Sequence, residues 1–325
     1  MPIVTAVIPT FNMGLYVGDA IRSVLGQTLR DVEVIVVDDG STDDTRDVVT
    51  SFGTQVQYYY QPNAGQGAAR NLAIRASKGK YVAFLDADDI WLPEKLRRQV
   101  ELLERLPEVG LTGCGYSVRD EGGTTVLFEV VRPDFPSHRT LRRMLSICQL
   151  LPGSGSGVMV RRSCFDAVGL FDETLRIAQD WDMWVRLVQC FEARFVPEVL
   201  LVIRKNSRKP GFRTLANEEL YVGRVIEKNT PEHLKGRAYA VMHARLGSGY
   251  LASGNPAEAQ RQLVRSICGN PGRLFPLDPL NRYHYPRTPR YYLLARASAA
   301  VATTRLRAAL RIPERLAAKR RHRDG

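Results

Sequence analysis

Residues 81–89 read Tyr-Val-Ala-Phe-Leu-Asp-Ala-Asp-Asp, a short apolar run that stops abruptly in carboxylates. The run has the length and composition of a strand buried in a sheet. Asp86 and Asp88 then stand one residue apart at its carboxyl edge, where open α/β sheets collect their ligands. Two carboxylates so placed can hold a divalent cation against a diphosphate.

Working outward, strands and helices alternate on both sides of this stretch. Val4 to Pro9 reads as a strand, and Leu15 to Leu25 carries Val17, Ala20, Ile21 and Val24 at helical spacing. Val32 to Val37 is a near-continuous β-branched run, the pattern of a strand covered on both faces in a parallel sheet. Thr42 and Asp43 are placed to cap the helix that follows. Val56 to Tyr60 is a third strand, Gly67 to Ala76 a helix, and Pro93 opens a helix to about Leu106. Such alternation predicts right-handed crossovers and an α/β fold with a mainly parallel sheet flanked by helices. Two β-rich runs around Glu121-Gly122-Gly123 predict a hairpin added to the sheet, and Leu151 to Gly157 reads equally as a loop beside a site or as an ordinary connecting loop. A strand at Gly157–Arg161, a helix at Gln179–Cys190 and a strand at Val199–Ile203 complete this part.

Beyond about Arg213 strand patterns end, and the chain predicts a C-terminal all-α appendage over 213–325 after a first domain over 1–212. Leu215–Lys228 and His233–Ala252 are helical, Gly254 is a stop, and Asn255, Pro256 and Glu258 occupy the cap, first-turn and capping-box positions of another helix. The pair at about 233–268 resembles one tetratricopeptide-like hairpin. A repeat array needs about three copies, so a packing appendage is expected.

Composition narrows the class. With 44% hydrophobic and 25% charged residues the chain is an ordinary folded one. Five scattered cysteines form no Cys-x-x-Cys pair, which disfavours a disulfide framework or a zinc site and fits a reducing cytoplasm. MPIVTAVIPT enters a strand with no basic flank, and no run approaches a spanning helix, so neither a signal peptide nor an integral protein is expected. The net charge is +12, and residues 281–325 hold 12 Lys or Arg against Glu314 and Asp324, which is +10 of it. In this tail Arg296, Arg307, Arg311 and Arg315 gather on one side of a helical wheel and Leu306, Leu310, Ile312 and Leu316 largely on the other, with Pro313 as a break. Such a segment either lies on an anionic bilayer or remains a solvated tail. Nucleic acid is not expected as a partner, because the folded part carries no reading motif.

Each predicted parallel strand is followed by a polar loop. The first, Pro9-Thr10-Phe11-Asn12, lacks the glycines that a dinucleotide pyrophosphate needs. In the second, Val37 to Asp43, Asp39 can accept from a base imide or a ribose hydroxyl, and Gly40 permits a sharp exit from the strand. The third, Asn63 to Asn71, brings small residues and Arg70 to a helix start, where Arg70 reaches a phosphate or pairs with an acidic neighbour. The fourth is Asp86-Ala87-Asp88-Asp89. A second Asp-x-Asp at Asp180-Trp181-Asp182 falls inside a predicted helix, where residues two apart share no face, so only the first suits a metal. One further acid is needed to activate a nucleophile, and Asp180 or Asp182 is the candidate.

In order and spacing, VTAVIPTFN, VDDGSTD, NAGQGAARN, YVAFLDADD and GLFDETLRIAQDWDMWVRL resemble the motifs of the family 2 glycosyltransferases of GT-A fold, over about residues 3–204. The resemblance implies an inverting enzyme that moves a sugar from a nucleotide-diphosphate donor (UDP, dTDP or GDP type) to a hydroxyl acceptor, a glycan or polyprenyl-linked precursor of polysaccharide or glycolipid. It implies a Rossmann-like GT-A sheet, and nucleotide contacts from Pro9, Thr10, Asn12, Asp39, Arg70 and Asp86. Asp88 would bind Mn²⁺ or Mg²⁺ and Asp180 would be the catalytic base. Gln179 stands where the family usually has Glu, and Arg204 to Lys209 where some members place a metal histidine; Gln179 and Arg204 become candidates for diphosphate or acceptor contact. The location implied is cytoplasmic, peripheral on the inner face of the membrane. The alternative is a nucleotide-sugar-binding or scaffold protein of the same fold with reduced catalysis.

Overall fold

The computed structural model describes residues 1–131, 137–149, 155–205 and 213–269. The first four strands, β1 (Val4–Thr10), β2 (Val32–Asp38), β3 (Gln57–Tyr60) and β4 (Tyr81–Phe84), lie in the order β3-β2-β1-β4 and pair in parallel. Every residue of β1 is buried, as its apolar run requires. Between them run α1 (Gly14–Leu25), the short α2 (Thr45–Thr50) and α3 (Gln66–Ala76). The buried face of α1 is Tyr16, Val17, Ala20, Ile21 and Val24, the expected spacing. In α3 the buried Ala68, Ala69 and Ala73 let the helix approach β1 and β2 closely.

After β4 the sheet becomes mixed. β5 (Ile90–Trp91) leads to α4 (Lys95–Arg105), β6 (Val109–Arg119), β7 (Val126–Val130), α5 (His138–Leu145), β8 (Met159–Arg161), α6 (Cys164–Val168), α7 (Gln179–Cys190) and β9 (Glu192–Arg204). β8 enters antiparallel between β4 and β6, and β9 runs parallel to β6. The hairpin expected around Glu121 is β6–β7. One apolar layer that includes Ile8, Val36, Leu85, Trp91, Leu96, Leu103, Met159 and Leu201 joins the two halves. Each such fully buried side chain contributes about 1.5–3 kcal/mol.

Packing divides the chain into Met1–Pro231 and a second unit from Glu232 onward. α8 (Leu215–Asn229), grouped with the appendage in the sequence reading, packs on α7 in the first unit. In the second unit α9 (Glu232–Ala252) and α10 (Pro256–Gly269) form an antiparallel pair. Gly247 lies so close to Leu263 that a Cβ there would stand 2.6 Å from its side chain, and Ser266 Oγ donates to Ala240 O at 2.6 Å. Asn255 caps α10, its Oδ1 accepting from Glu258 N at 3.1 Å. The expected basic tail, 281–325, lies outside the described residues, as does the start of the 151–157 loop.

Candidate active site

The carboxyl ends of β1, β2 and β4 open on one side of the sheet, and the chain after β4 folds into a tight acidic turn. Asp89 N donates to Asp86 O at 3.0 Å. Ser156 Oγ accepts from Asp86 N at 3.0 Å and donates to Asp89 Oδ2 at 2.5 Å. Burial, then the neighbouring Asp88 and Asp86 carboxylates, raises the Asp89 carboxyl well above its usual range. Arg204 holds the turn from beneath. Its Nε donates to Asp88 O at 2.6 Å, Nη1 to Asp19 Oδ2 at 2.7 Å and Nη2 to Tyr16 O at 3.3 Å. Arg204 thus holds the Asp88 backbone against Asp19 and Tyr16.

Asp86 faces the opposite way, toward α3 and α7. Its Oδ1 accepts from Arg70 Nη2 and from Gln66 Nε2, both at 2.9 Å. Arg70 has thus taken the acidic neighbour of its two sequence options. A Cβ on Gly155 would stand 3.3 Å from Arg70 Nη2, so the loop before β8 comes against the guanidinium. Gln66 Oε1 accepts from Gln179 Nε2 at 2.9 Å, which carries the network from the β4 corner to the start of α7. Ala178, at φ 62 in the left-handed region, turns the chain into that helix. Asp180 is buried, with Oδ2 accepting from Gln149 Nε2 at 2.6 Å and Oδ1 from Trp181 N at 2.8 Å. Burial raises its pKa, and the Arg70 charge opposes the rise. Asp182 points elsewhere, as the helical spacing requires. It pairs with Arg186 at 2.9 Å and Lys228 at 3.0 Å and accepts from Asn229 at 2.8 Å. Of the two candidate bases, Asp180 directly follows Gln179, whose amide is linked through Gln66 to Asp86.

At the other end of the cleft Asp39 serves the loops. Its Oδ1 accepts from Gln61 Nε2 at 2.7 Å and Ala64 N at 2.8 Å, and its Oδ2 from Gly65 N at 2.8 Å. This pulls the 63–65 turn over β2, with Gly65 at φ 96 and Gly40 at φ 87 in conformations that favour glycine. Asn12 Oδ1 accepts from Thr42 N at 2.8 Å, latching the first loop to the second. Pro9 lies in the β1 ladder opposite Val37. Thr10 Oγ1 is buried with no partner.

Six buried side-chain polar atoms among the described residues lack a hydrogen bond, and four of them, Thr10 Oγ1, Arg70 Nε and Nη1, and Gln179 Oε1, belong to these loops and helix starts. Native proteins satisfy buried polar groups, so this concentration marks where a polar ligand belongs. The acidic turn also suits a divalent cation. Mg²⁺-type ions take one or two carboxylates and complete their shell with substrate phosphates, and a cation at Asp88 would relieve the like-charge crowding that Asp89 registers.

Residues 5–169 match the family model for Glycosyl transferase family 2. The chain belongs to that family. An uncharacterized glycosyltransferase of Rickettsia typhi is 34% identical over 206 residues, 62% of this chain and 64% of that protein. A putative teichuronic acid biosynthesis glycosyltransferase, TuaG of Bacillus subtilis, is 39% identical over 128 residues, 38% of this chain and 50% of TuaG. The chain thus spans less than two thirds of these relatives. Among solved structures, S. aureus TarS 1–349 superposes with a TM-score of 0.58 at 18% identity, covering 95% of this chain and 92% of that one. The mannosyltransferase PcManGT of Pyrobaculum calidifontis, in complex with GDP-Man and Mn²⁺, gives 0.54 at 21%, covering 92% and 87%. These neighbours establish the GT-A architecture of the family 2 domain.

Within that domain, three residues of the network escaped the sequence reading, Gln66, Gln149 and Ser156, and Asp89 was quoted in the fourth loop without a role. Gln66 stood inside a quoted motif and Ser156 inside the expected site loop, which was the available clue. Gln149 gave none.

Proposed function

We propose that the family 2 domain is an inverting glycosyltransferase that moves a sugar from a nucleotide-diphosphate donor to a hydroxyl acceptor. One observation carries the reading: the orphaned buried polar atoms gather on Thr10, Arg70 and Gln179, where Arg70 is ion-paired with Asp86 and the buried carboxylate of Asp180 follows directly on Gln179. Thr10 and the loop organised by Asp39 would receive the nucleoside, and Asp86 the ribose. Asp88 would hold a divalent cation, which would supply charge stabilisation to the departing diphosphate. Asp180 takes the proton of the acceptor hydroxyl as its oxygen attacks the anomeric carbon opposite the leaving group. Burial makes Asp180 more basic than a surface aspartate, while Arg70 favours its ionised form. Gln149 and the Trp181 amide fix the carboxylate's orientation.

Solved neighbours support a sugar-nucleotide donor, since TarS has been crystallised with UDP-GlcNAc and PcManGT with GDP-Man. The name of TuaG supports a cell-surface polysaccharide product. No helix among the described residues is long and apolar enough to cross a membrane. We place the protein on the inner membrane face through its basic tail, with a glycan or polyprenyl-linked acceptor.

The donor reading is tested by calorimetry of UDP, GDP, CDP and dTDP on wild type and Asp88→Ala, with and without Mn²⁺. Wild type should bind at least one nucleotide about tenfold or more tightly with Mn²⁺, and Asp88→Ala should lose that response. Equal affinity in all four conditions would remove the metal role. A second reading, a binding or scaffold protein of reduced catalysis, draws on one observation: Gln179 stands where the family usually has Glu, directly before Asp180. Donor hydrolysis separates the two, since a binder shows none.

A further inference from the structure

The Gln66–Gln179 pair has a defined polarity. Asp86 is ion-paired with Arg70 at 2.9 Å, so its Oδ1 is a hydrogen-bond acceptor only. Gln66 must then turn its Nε2 toward Asp86, which leaves its Oε1 facing Gln179. Gln179 in turn must present Nε2 to that oxygen. Both amides are oriented by the carboxylate at the end of the relay, and what remains is Gln179 Oε1. That atom is buried, has no partner, and belongs to a side chain only 5% exposed. It is an acceptor waiting for a donor.

Gln179 directly precedes Asp180, and its relay ends on Asp86. If those two carboxylates flank the acceptor hydroxyl and the nucleotide, as the proposed function holds, the group between them is the sugar in transfer. We propose that Gln179 Oε1 accepts a hydrogen bond from a ring hydroxyl of the transferred sugar, with its polarity set by Gln66 and Asp86. Gln179 then discriminates among donors by the placement of one hydroxyl, and Gln66 is a positioning residue for it. A glutamate at 179 would present oxygen to Gln66 Oε1 and break the relay, so the amide belongs to this chain's version of the site. The inference rests on the proposed donor chemistry.

The test is titration calorimetry in Mn²⁺ of UDP-N-acetylglucosamine against UDP, and GDP-mannose against GDP, on wild type, Gln179→Met and Gln66→Met. For the pair that wild type binds, the affinity advantage of the sugar nucleotide over the bare nucleotide should fall about 3- to 10-fold in Gln179→Met. Affinity for the bare nucleotide should stay within about twofold. Gln66→Met, which frees the Gln179 amide to rotate half a turn, should show a smaller loss of the same kind. An unchanged advantage, an equal loss for the bare nucleotide, or an effect confined to acceptor KM would overturn the assignment. Failure of wild type to bind these four probes and also CDP and dTDP would instead overturn the proposed function, and this inference with it.

Discussion

At the scale of single residues, Lys95 shows how the core supports the site at a cost in stability. It is fully buried at the start of α4, its Nζ 4.1 Å from the Trp91 ring centroid and donating to Gln99 Oε1 at 2.7 Å, and it makes no ion pair among the described residues. Gln99 Nε2 donates to Gly157 O at 2.8 Å and Trp91 Nε1 to Ser156 O at 2.7 Å, so this cluster anchors the segment whose Ser156 hydroxyl organises Asp86 and Asp89. Burial lowers the lysine pKa from 10.5 to about 8. Below pH 8 both states hold the proton and a penalty of about 3 kcal/mol stands in full; between 8 and 10.5 the unfolded chain binds more protons, so stability rises with pH. Urea unfolding at pH 7.5 and 9.5 should show this rise in wild type relative to Lys95→Met. The nearby Cys114 thiol, raised by burial to about 11, acts in the opposite direction above about pH 9 in both proteins. Identical pH dependence would contradict the account. Single residues are also where sequence reading was least secure. Asp39 was assigned to a nucleoside from its loop after a strand and Arg204 to a diphosphate or acceptor from its place where some family members have a metal histidine. Their partners, Gly65 at 26 residues' distance and Asp88 at 116, exist only in the folded chain.

At the scale of elements, α7 divides two aspartates between two tasks. Asp180 and Asp182 are nearly indistinguishable in sequence, yet one follows directly on Gln179 of the site network and the other, fully buried, anchors α8 through Asn229 and Lys228. Asp182→Ala should lower stability by about 1–3 kcal/mol in urea unfolding, because it removes the fully buried acceptor of the partly buried Arg186 and Asn229 donors, while affinity for the donor nucleotide is retained. A variant of unchanged stability would refute that role for α8. The helical period made this division readable in advance, since residues two apart cannot share a face. Other elements were not. β9 was read only from Val199, because Pro197 interrupts the pattern; the strand begins at Glu192 and its ladder with β6 shifts register between Val196 and Val199. α5 escaped because its buried face is only Leu141, Met144 and Leu145, one narrow stripe in a basic segment.

For the whole molecule, the parallel half of the sheet explains why the site was legible as a set of loops. Four strands running the same way must deliver their carboxyl ends to one edge, so Thr10, Asp39, Arg70 and Asp86 could be grouped before any coordinates. Their cross-links could not. The Gln66–Gln179 contact spans 113 residues and depends on β8 and β9 folding the second half of the domain back on the first. The account therefore stands on Asp180 as the proposed base. Its most direct measurement is release of nucleoside diphosphate from the sugar nucleotide that wild type binds, compared in wild type and Asp180→Asn, alongside calorimetric affinity for that donor. Turnover should fall about 10²- to 10⁴-fold with donor affinity nearly unchanged. A variant that turns over at the wild-type rate would contradict the account.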